Sequence, residues 1–185
     1  MEHPRRSKFF FSELEHYMLL ANEHGLDPLA VRGSYAGAMG IPQFMPSSYR
    51  NYAVDYDGDG RSDLLSSVED AVGSVANYLK VHRWRAGDPV TDTVPPQQAG
   101  GLEQFVTRRL KANTALSTLV AAGLTPTQGA DLNWNVGVLK FDDDGRPSYR
   151  IGYHNFFVIT RYNRSQNYAM SVYELAEAIK ASSQN

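Results

Sequence analysis

Asp55, Asp57 and Asp59 alternate along the run Asp55-Tyr56-Asp57-Gly58-Asp59-Gly60-Arg61-Ser62-Asp63. A hard cation such as Ca²⁺ needs several oxygen ligands on a tightly turning loop. Carboxylates at positions one, three and five, Gly60 at six and the Arg61 carbonyl at seven supply them. Position twelve is Ser66, where a standard loop carries a bidentate Glu. That departure lowers the expected affinity unless a later carboxylate, Glu69 or Asp70, folds back. The competing reading is a solvated Asp/Gly turn. Four aspartates within nine residues repel one another without a counter-ion, which favours the cation site. Asp142-Asp143-Asp144-Gly145 is also acidic, but its aspartates are consecutive and read as a turn.

A second run, Gly33 to Tyr49, carries different chemistry. Its glycines let the backbone bend tightly or approach a ligand closely. Ser34, Tyr35, Gln43 and the Ser47-Ser48 pair are sparse hydrogen-bonding groups among apolar residues, a mixture that suits a saccharide cleft. Gln43 can donate and accept at once; a Gln paired with backbone is the plainer alternative. Ser34 also reads as a serine in a Gly-rich turn. His3, His16, His24, His82 and His154 show no metal-ligand spacing. There is no nucleophile elbow and no phosphate-binding Gly loop.

The elements that must position these groups follow from periodicity. Ser12 and Glu15 read as a capping box that opens a helix, with Glu13 and Glu15 in its first turn; Gly25 ends it. A second helix is expected from about Ser67 to Trp84, with Val68, Ala71, Val72, Val75, Ala76 and Leu79 as its apolar face. Short helices are expected over Leu102 to Leu110 and Leu116 to Gly123. Asn135 to Phe141 reads as a strand that turns at Asp142–Gly145 and pairs with Tyr149 to Gly152. Phe156 to Thr160 reads as extended, and Ser171 to Ala181 as a terminal helix. The sum is a mainly α, α+β chain with a small β lobe.

A length of 185 residues and 42% hydrophobic content support one domain, or a domain plus a small lobe. The net charge of −2 marks neither a nucleic-acid partner nor a membrane surface. No apolar run reaches membrane-spanning length, and no signal peptide or lipidated Cys is visible. The absence of Cys removes disulfides and thiolate metal sites.

The run Gly33–Ser48 also resembles the signature of lytic murein transglycosylases of the membrane-bound B type. That pattern is Gly-Ser-aromatic-Ala-Gly-Ala-Met-Gly, two variable residues, then Gln-Phe-Met-Pro-Ser-Ser. Pro4-Arg5-Arg6 and Glu13-Leu14-Glu15 match upstream. The Asp-rich loop, Val72 to Tyr78, Ile159 to Asn163 and Asn167 to Met170 match downstream. The resemblance covers essentially the whole chain and is least specific from about Val90 to Asp144.

It implies a lysozyme-like helical domain over residues 1–185 with a less specific lobe at about 90–155. It implies peptidoglycan glycan strands as partner, a monomer, and a periplasmic or cell-envelope location. Ser34 and Gln43 would face the glycan; Tyr78, Tyr162, Asn163 and Tyr168 would contribute rings and an amide. Most of the 11 tyrosines are structural in any fold. Arg5 and Arg6 would contact an anion or stay solvated. A structural Ca²⁺ would be held by Asp55, Asp57, Asp59 and the Arg61 carbonyl, and closed by Asp70, with Glu69 as a substitute because this loop is one residue longer. The family's single catalytic Glu lies upstream of the Pro-Arg-Arg segment, so no catalytic residue is assigned. The expectation is an N-terminally truncated transglycosylase domain, inactive or impaired as this chain. A non-catalytic peptidoglycan-binding protein with a Ca²⁺ loop is the alternative.

Overall fold

A computed structural model describes residues 4–127 and 130–184, with side chains from Ser7 onward. The side chains of Arg5 and Arg6, and all of His3, lie outside the described set. Among the described residues there are six α-helices, two 3₁₀ turns and four strands, so the chain is mainly helical and α+β. It divides into two compact units, Met1–Val81 and His82–Asn185.

The first unit is built from α1 (Pro4–His24), α2 (Pro46–Tyr52) and α3 (Val68–Val81). α1 begins at Pro4, far ahead of the expected Ser12. Proline opens a helix at no cost, because its missing N–H falls where no intrahelical partner exists. Ser12 is therefore interior, its capping box does not form, and Glu13 and Glu15 are not first-turn charges. The end is as read: Gly25 takes φ +63°, and the Leu26 N–H donates to Ala21 O at 2.8 Å. Leu20, Met39, Phe44, Tyr49, Leu64 and Ala71 are buried within this unit.

α3 buries only part of its expected apolar face: Ala71 is buried and Val75 and Leu79 are half-buried. Val68, Val72 and Ala76 are exposed, whereas Asp70, Ala71, Gly73, Ser74 and Tyr78 are buried. The buried polar groups are there because each satisfies a backbone group of the loop ahead of the helix. Asp70 accepts from loop amides, Ser74 Oγ accepts the Val54 N–H at 2.9 Å, and Asn77 Nδ2 donates to Tyr52 O at 3.0 Å. Gly73 lets the Tyr56 ring lie on the helix: a Cβ there would stand 2.7 Å from ring carbons.

The second unit contains a four-stranded antiparallel sheet ordered β1-β4-β3-β2, from β1 (Thr91–Thr93), β2 (Thr114–Ala115), β3 (Asn135–Asp143) and β4 (Arg146–Gly152). The β3–β4 hairpin turns as expected, with Asp144 and Gly145 at φ +52° and +80° and the Gly145 N–H on Asp142 Oδ1 at 2.7 Å. Of the helix expected at Leu102–Leu110 only a 3₁₀ turn, Glu103–Phe105, forms; another 3₁₀ segment, Pro96–Gly101, precedes it. α4 (Leu116–Ala121) is close to its expected span. Phe156 to Thr160 is not extended; it forms the body of α5 (His154–Tyr162). All five side chains are buried, so tertiary packing overrides the β-propensity of the run. α6 (Gln166–Ser182) starts earlier than expected, capped by Ser165 Oγ accepting the Tyr168 N–H at 3.2 Å.

Candidate functional site

The Gly33–Tyr49 run folds as two successive tight bends. The first pairs Gly33 with Met39 and the second pairs Met39 with Phe44. Met39 exchanges both backbone hydrogen bonds with Phe44, at 2.9 and 3.1 Å. Met39, Phe44 and Tyr49 are buried and anchor the bends. Ser34 to Gly37, Ile41 and Gln43 are left at the surface.

Ser34, Tyr35, Ala36 and Gly37 line one wall of a cavity of about 460 Å³. α1 supplies the other wall through Phe10, Glu13, Leu14 and Tyr17. Ser34 is the pivot of its bend: its N–H donates to Ala38 O at 2.7 Å and its Oγ accepts the Ala38 N–H at 3.0 Å. Ser34 is thus a turn residue on the cavity wall, and its hydroxyl hydrogen remains to donate. Tyr35 is fully exposed on the cavity wall.

Glu13 is 8% exposed, and its carboxylate crosses from α1 to the start of α2. Oε2 accepts the Ser47 N–H at 3.0 Å and Oε1 accepts the Ser47 hydroxyl at 2.7 Å. Met45, the residue before α2, offers no side-chain cap, so Glu13 serves as one from a distance. Arg50 adds a second tie, pairing with Glu23 at 2.6 Å. The Arg50 hydrogen bond holds the Glu23 carboxyl below its usual range. Sequence reasoning missed Glu13 as a wall of the cavity; only the helix register, set by Pro4, reveals it.

Gln43 does not line that cavity. It sits on a neighbouring hollow with Leu26, Asp27, Arg32, Gly40 and Leu65, and its backbone takes φ +53°. Its Nε2 donates to Gly40 O at 2.9 Å, leaving the amide oxygen to accept. A non-Gly residue in the left-handed region is strained, and such residues concentrate at functional sites. Tyr78 is 7% exposed and lies in the core, its ring 5.7 Å from Phe44 and 4.9 Å from Tyr52. Tyr162, Asn163 and Tyr168 belong to the second unit. The two rings stack at 6.3 Å and 9°, and Asn163 is the exposed C-cap of α5.

The acidic loop folds around its own aspartates. Asp55 accepts from the Gly58 and Gly60 N–H groups at 2.7 and 2.9 Å; Asp57 and Asp59 accept from Asp59 and Arg61 at 3.1 and 2.8 Å. One oxygen from each of Asp55, Asp57 and Asp59 lies within 4.8 Å of the others, all three exposed. That donor set fits a hard cation. Asp70 is completely buried and stands apart from the three. It accepts the N–H of Tyr56 at 2.7 Å, of Asp57 at 3.4 Å and of Asp63 at 2.7 Å. Burial pushes its carboxyl up, but these three hydrogen bonds outweigh it and hold the group below the usual aspartate range. Glu69 is exposed.

The far end of this loop is bolted to the Gly33–Tyr49 run. The Tyr49 hydroxyl donates to Ser62 O at 2.8 Å and accepts the Leu64 N–H at 2.9 Å. Ile41 N–H donates to Leu64 O at 2.8 Å. Gly40, at φ +71°, makes that approach feasible, because a Cβ would lie 2.3 Å from Leu64 O.

Among the described residues, no helix is long and apolar enough to cross a membrane. The chain is 46% identical over 177 residues to membrane-bound lytic murein transglycosylase B of Escherichia coli, covering 96% of this chain and 47% of that protein. It thus spans about half the length of that curated relative. It superposes on the soluble lytic transglycosylase SltB1 of Pseudomonas aeruginosa with a TM-score of 0.88 at 44% identity, over 100% of this chain and 61% of that one. On the Escherichia coli lytic transglycosylase Slt35 in complex with calcium the TM-score is 0.87 at 42% identity, over 100% and 57%. These likenesses bear out the lysozyme-like fold with its small β lobe. The transglycosylase SLT domain model matches residues 1–177, and the chain belongs to that family.

Proposed function

We propose that these 185 residues form the glycan-cleft and cation-loop portion of a lytic murein transglycosylase acting in the periplasm or elsewhere in the cell envelope. The observation that carries the reading is the 460 Å³ cavity walled by Ser34, Tyr35 and α1. It combines close backbone, aromatic rings and a few hydrogen-bonding groups, as a saccharide site requires. The reaction of the whole protein is non-hydrolytic cleavage between N-acetylmuramic acid and N-acetylglucosamine. A carboxyl protonates the glycosidic oxygen and then accepts the proton of the muramoyl C6 hydroxyl. That oxygen closes the 1,6-anhydro ring, and no water is consumed.

Glu13 does not take that role. Both its oxygens accept hydrogen bonds from Ser47, the arrangement of a helix cap rather than of a proton donor. The 185 residues therefore bind glycan and turn it over very little. The cation is structural Ca²⁺, held by Asp55, Asp57, Asp59 and the Arg61 carbonyl while Asp70 shapes the loop. Tyr78 supports the cleft by packing on Phe44; Tyr162, Asn163 and Tyr168 offer rings and an amide to glycan on the second unit itself.

The test is co-sedimentation of the folded chain with purified sacculi, with mass spectrometry for 1,6-anhydromuramoyl ends. Binding without product supports the reading, and Ser34→Ala should weaken it severalfold. Product above a heat-killed control would place the acid within this chain. A folded chain that ignores sacculi would sink the proposal.

A further inference from the structure

The second unit has a cavity of its own, of about 360 Å³, whose polar wall is formed by Arg85, Asp88, Asn133, Trp134, Asn135 and His154. Its volume falls within the range of about 300–1,000 Å³ typical of small-ligand sites. None of these residues belongs to the Gly33–Tyr49 run or to the acidic loop.

The rim of this cavity is locked in place. The Asn155 side chain, completely buried, accepts the Arg85 N–H at 2.9 Å and donates to Arg85 O at 2.7 Å and Asp88 O at 3.1 Å. His154 Nε2–H donates to Arg83 O at 2.8 Å. Arg83 itself is held at φ +70°, a conformation that a side chain adopts only when its surroundings impose it. The Arg85 and Asp88 side chains emerge from this fixed loop 3.7 Å apart, 56% and 30% exposed. Opposite them, Asn133 donates Nδ2–H to Asp131 at 3.0 Å, which fixes its amide and leaves its oxygen to accept. Asn135 is exposed at the first position of β3, and Trp134 between them packs edge-on against Tyr153 at 6.0 Å.

We propose that this cavity is a second saccharide site, taking one N-acetylated amino-sugar unit of a glycan strand. The inference rests on the glycan reading above. The chemistry is that of planar polar groups around an aromatic wall. Two carboxamides, a guanidinium, a carboxylate and an imidazole match paired hydroxyls and an acetamide, which both donate and accept. An extended peptide is a poorer fit. It would seek an open strand edge, and the edge strands β1 and β2 are three and two residues long. A locked rim spends no ordering entropy on binding.

The experiment is a ¹⁵N NMR titration of the 185-residue chain with chitotetraose, read beside the Asn133→Ala/Asn135→Ala variant. The expected result is two groups of shifting signals, one in residues 33–45 and one in residues 85–88 and 133–135 with the Trp134 indole N–H. The variant should melt like the wild type, keep the first group and bind at least tenfold more weakly at the second. A first group without the second overturns this inference and leaves the glycan reading standing. Movement of the second group by a free stem tripeptide, and not by chitotetraose, overturns it in favour of a peptide site. Absence of both groups in a folded chain overturns the glycan reading and this inference together.

Discussion

Glu13 and Gln43 are the residues whose roles changed most between sequence and structure. Glu13 gives α2 its only side-chain cap, from another helix. Glu13→Ala removes a charge-assisted pair of bonds and leaves the half-buried Ser47 N–H without its partner. The expected loss is about 2–3 kcal/mol in urea unfolding of the first unit; a change below about 0.5 kcal/mol would refute the capping role. Gln43 is the converse case, a side chain kept where glycine is the easier residue. Gln43→Gly should leave stability unchanged or raise it by up to about 1 kcal/mol, since left-handed backbone costs an L-residue about 1–2 kcal/mol. The same variant should bind sacculi more weakly. If binding survives intact, Gln43 serves only its turn. The Ser34 turn was legible because its partner is four residues away. Glu13 was not legible, because its partner is 34 residues away.

α3 is where periodicity misled and where the loop chemistry is anchored. A helix is usually read by its apolar stripe, but here the buried stripe is Asp70, Ala71, Gly73, Ser74 and Tyr78. Backbone satisfaction of a neighbouring loop leaves no signature in a hydropathy pattern. α5 misled for the related reason that a β-rich run was buried on all sides. Gly73→Ala should drive the Tyr56 ring off the helix, at about 1–3 kcal/mol by thermal or urea unfolding. It should loosen the acidic loop at the same time, seen as weaker Ca²⁺ binding by calorimetry. Asp70 supplies a pH signature. Its carboxyl is depressed in the folded state, so its stabilisation is present above the unfolded value, about 3.9, and fades as pH falls through the lower folded value. Asp70→Asn should cost stability at neutral pH and flatten the acid limb of the stability–pH curve below about pH 4. An unaltered limb would show that the three loop amides do not govern acid unfolding. By contrast, the C-terminal end of α1 and the β3–β4 turn were readable, since Gly25, Asp144 and Gly145 each carry a local conformational demand.

The whole chain is two compact units, and that division predicts how it responds to metal. Calcium at about a hundred times its dissociation constant adds about 2.7 kcal/mol to whatever it binds. For a unit the size of Met1–Val81 that is a rise of roughly 10–20 °C. Calorimetry should show the gain in the melting of the first unit, lost with EDTA, and the variant Asp55→Asn/Asp57→Asn should not respond. A rise that survives in that variant would move the cation elsewhere. The one-residue bridge at Tyr49 then has a thermodynamic corollary. Its hydroxyl, pushed up by burial and so fully protonated, joins the exit of the acidic loop to the bends that wall the cavity. Whatever factor calcium adds to glycan affinity, glycan must return to calcium, because the two equilibria close one cycle. Tyr49→Phe should bring that factor towards one for both ligands while leaving each its own site.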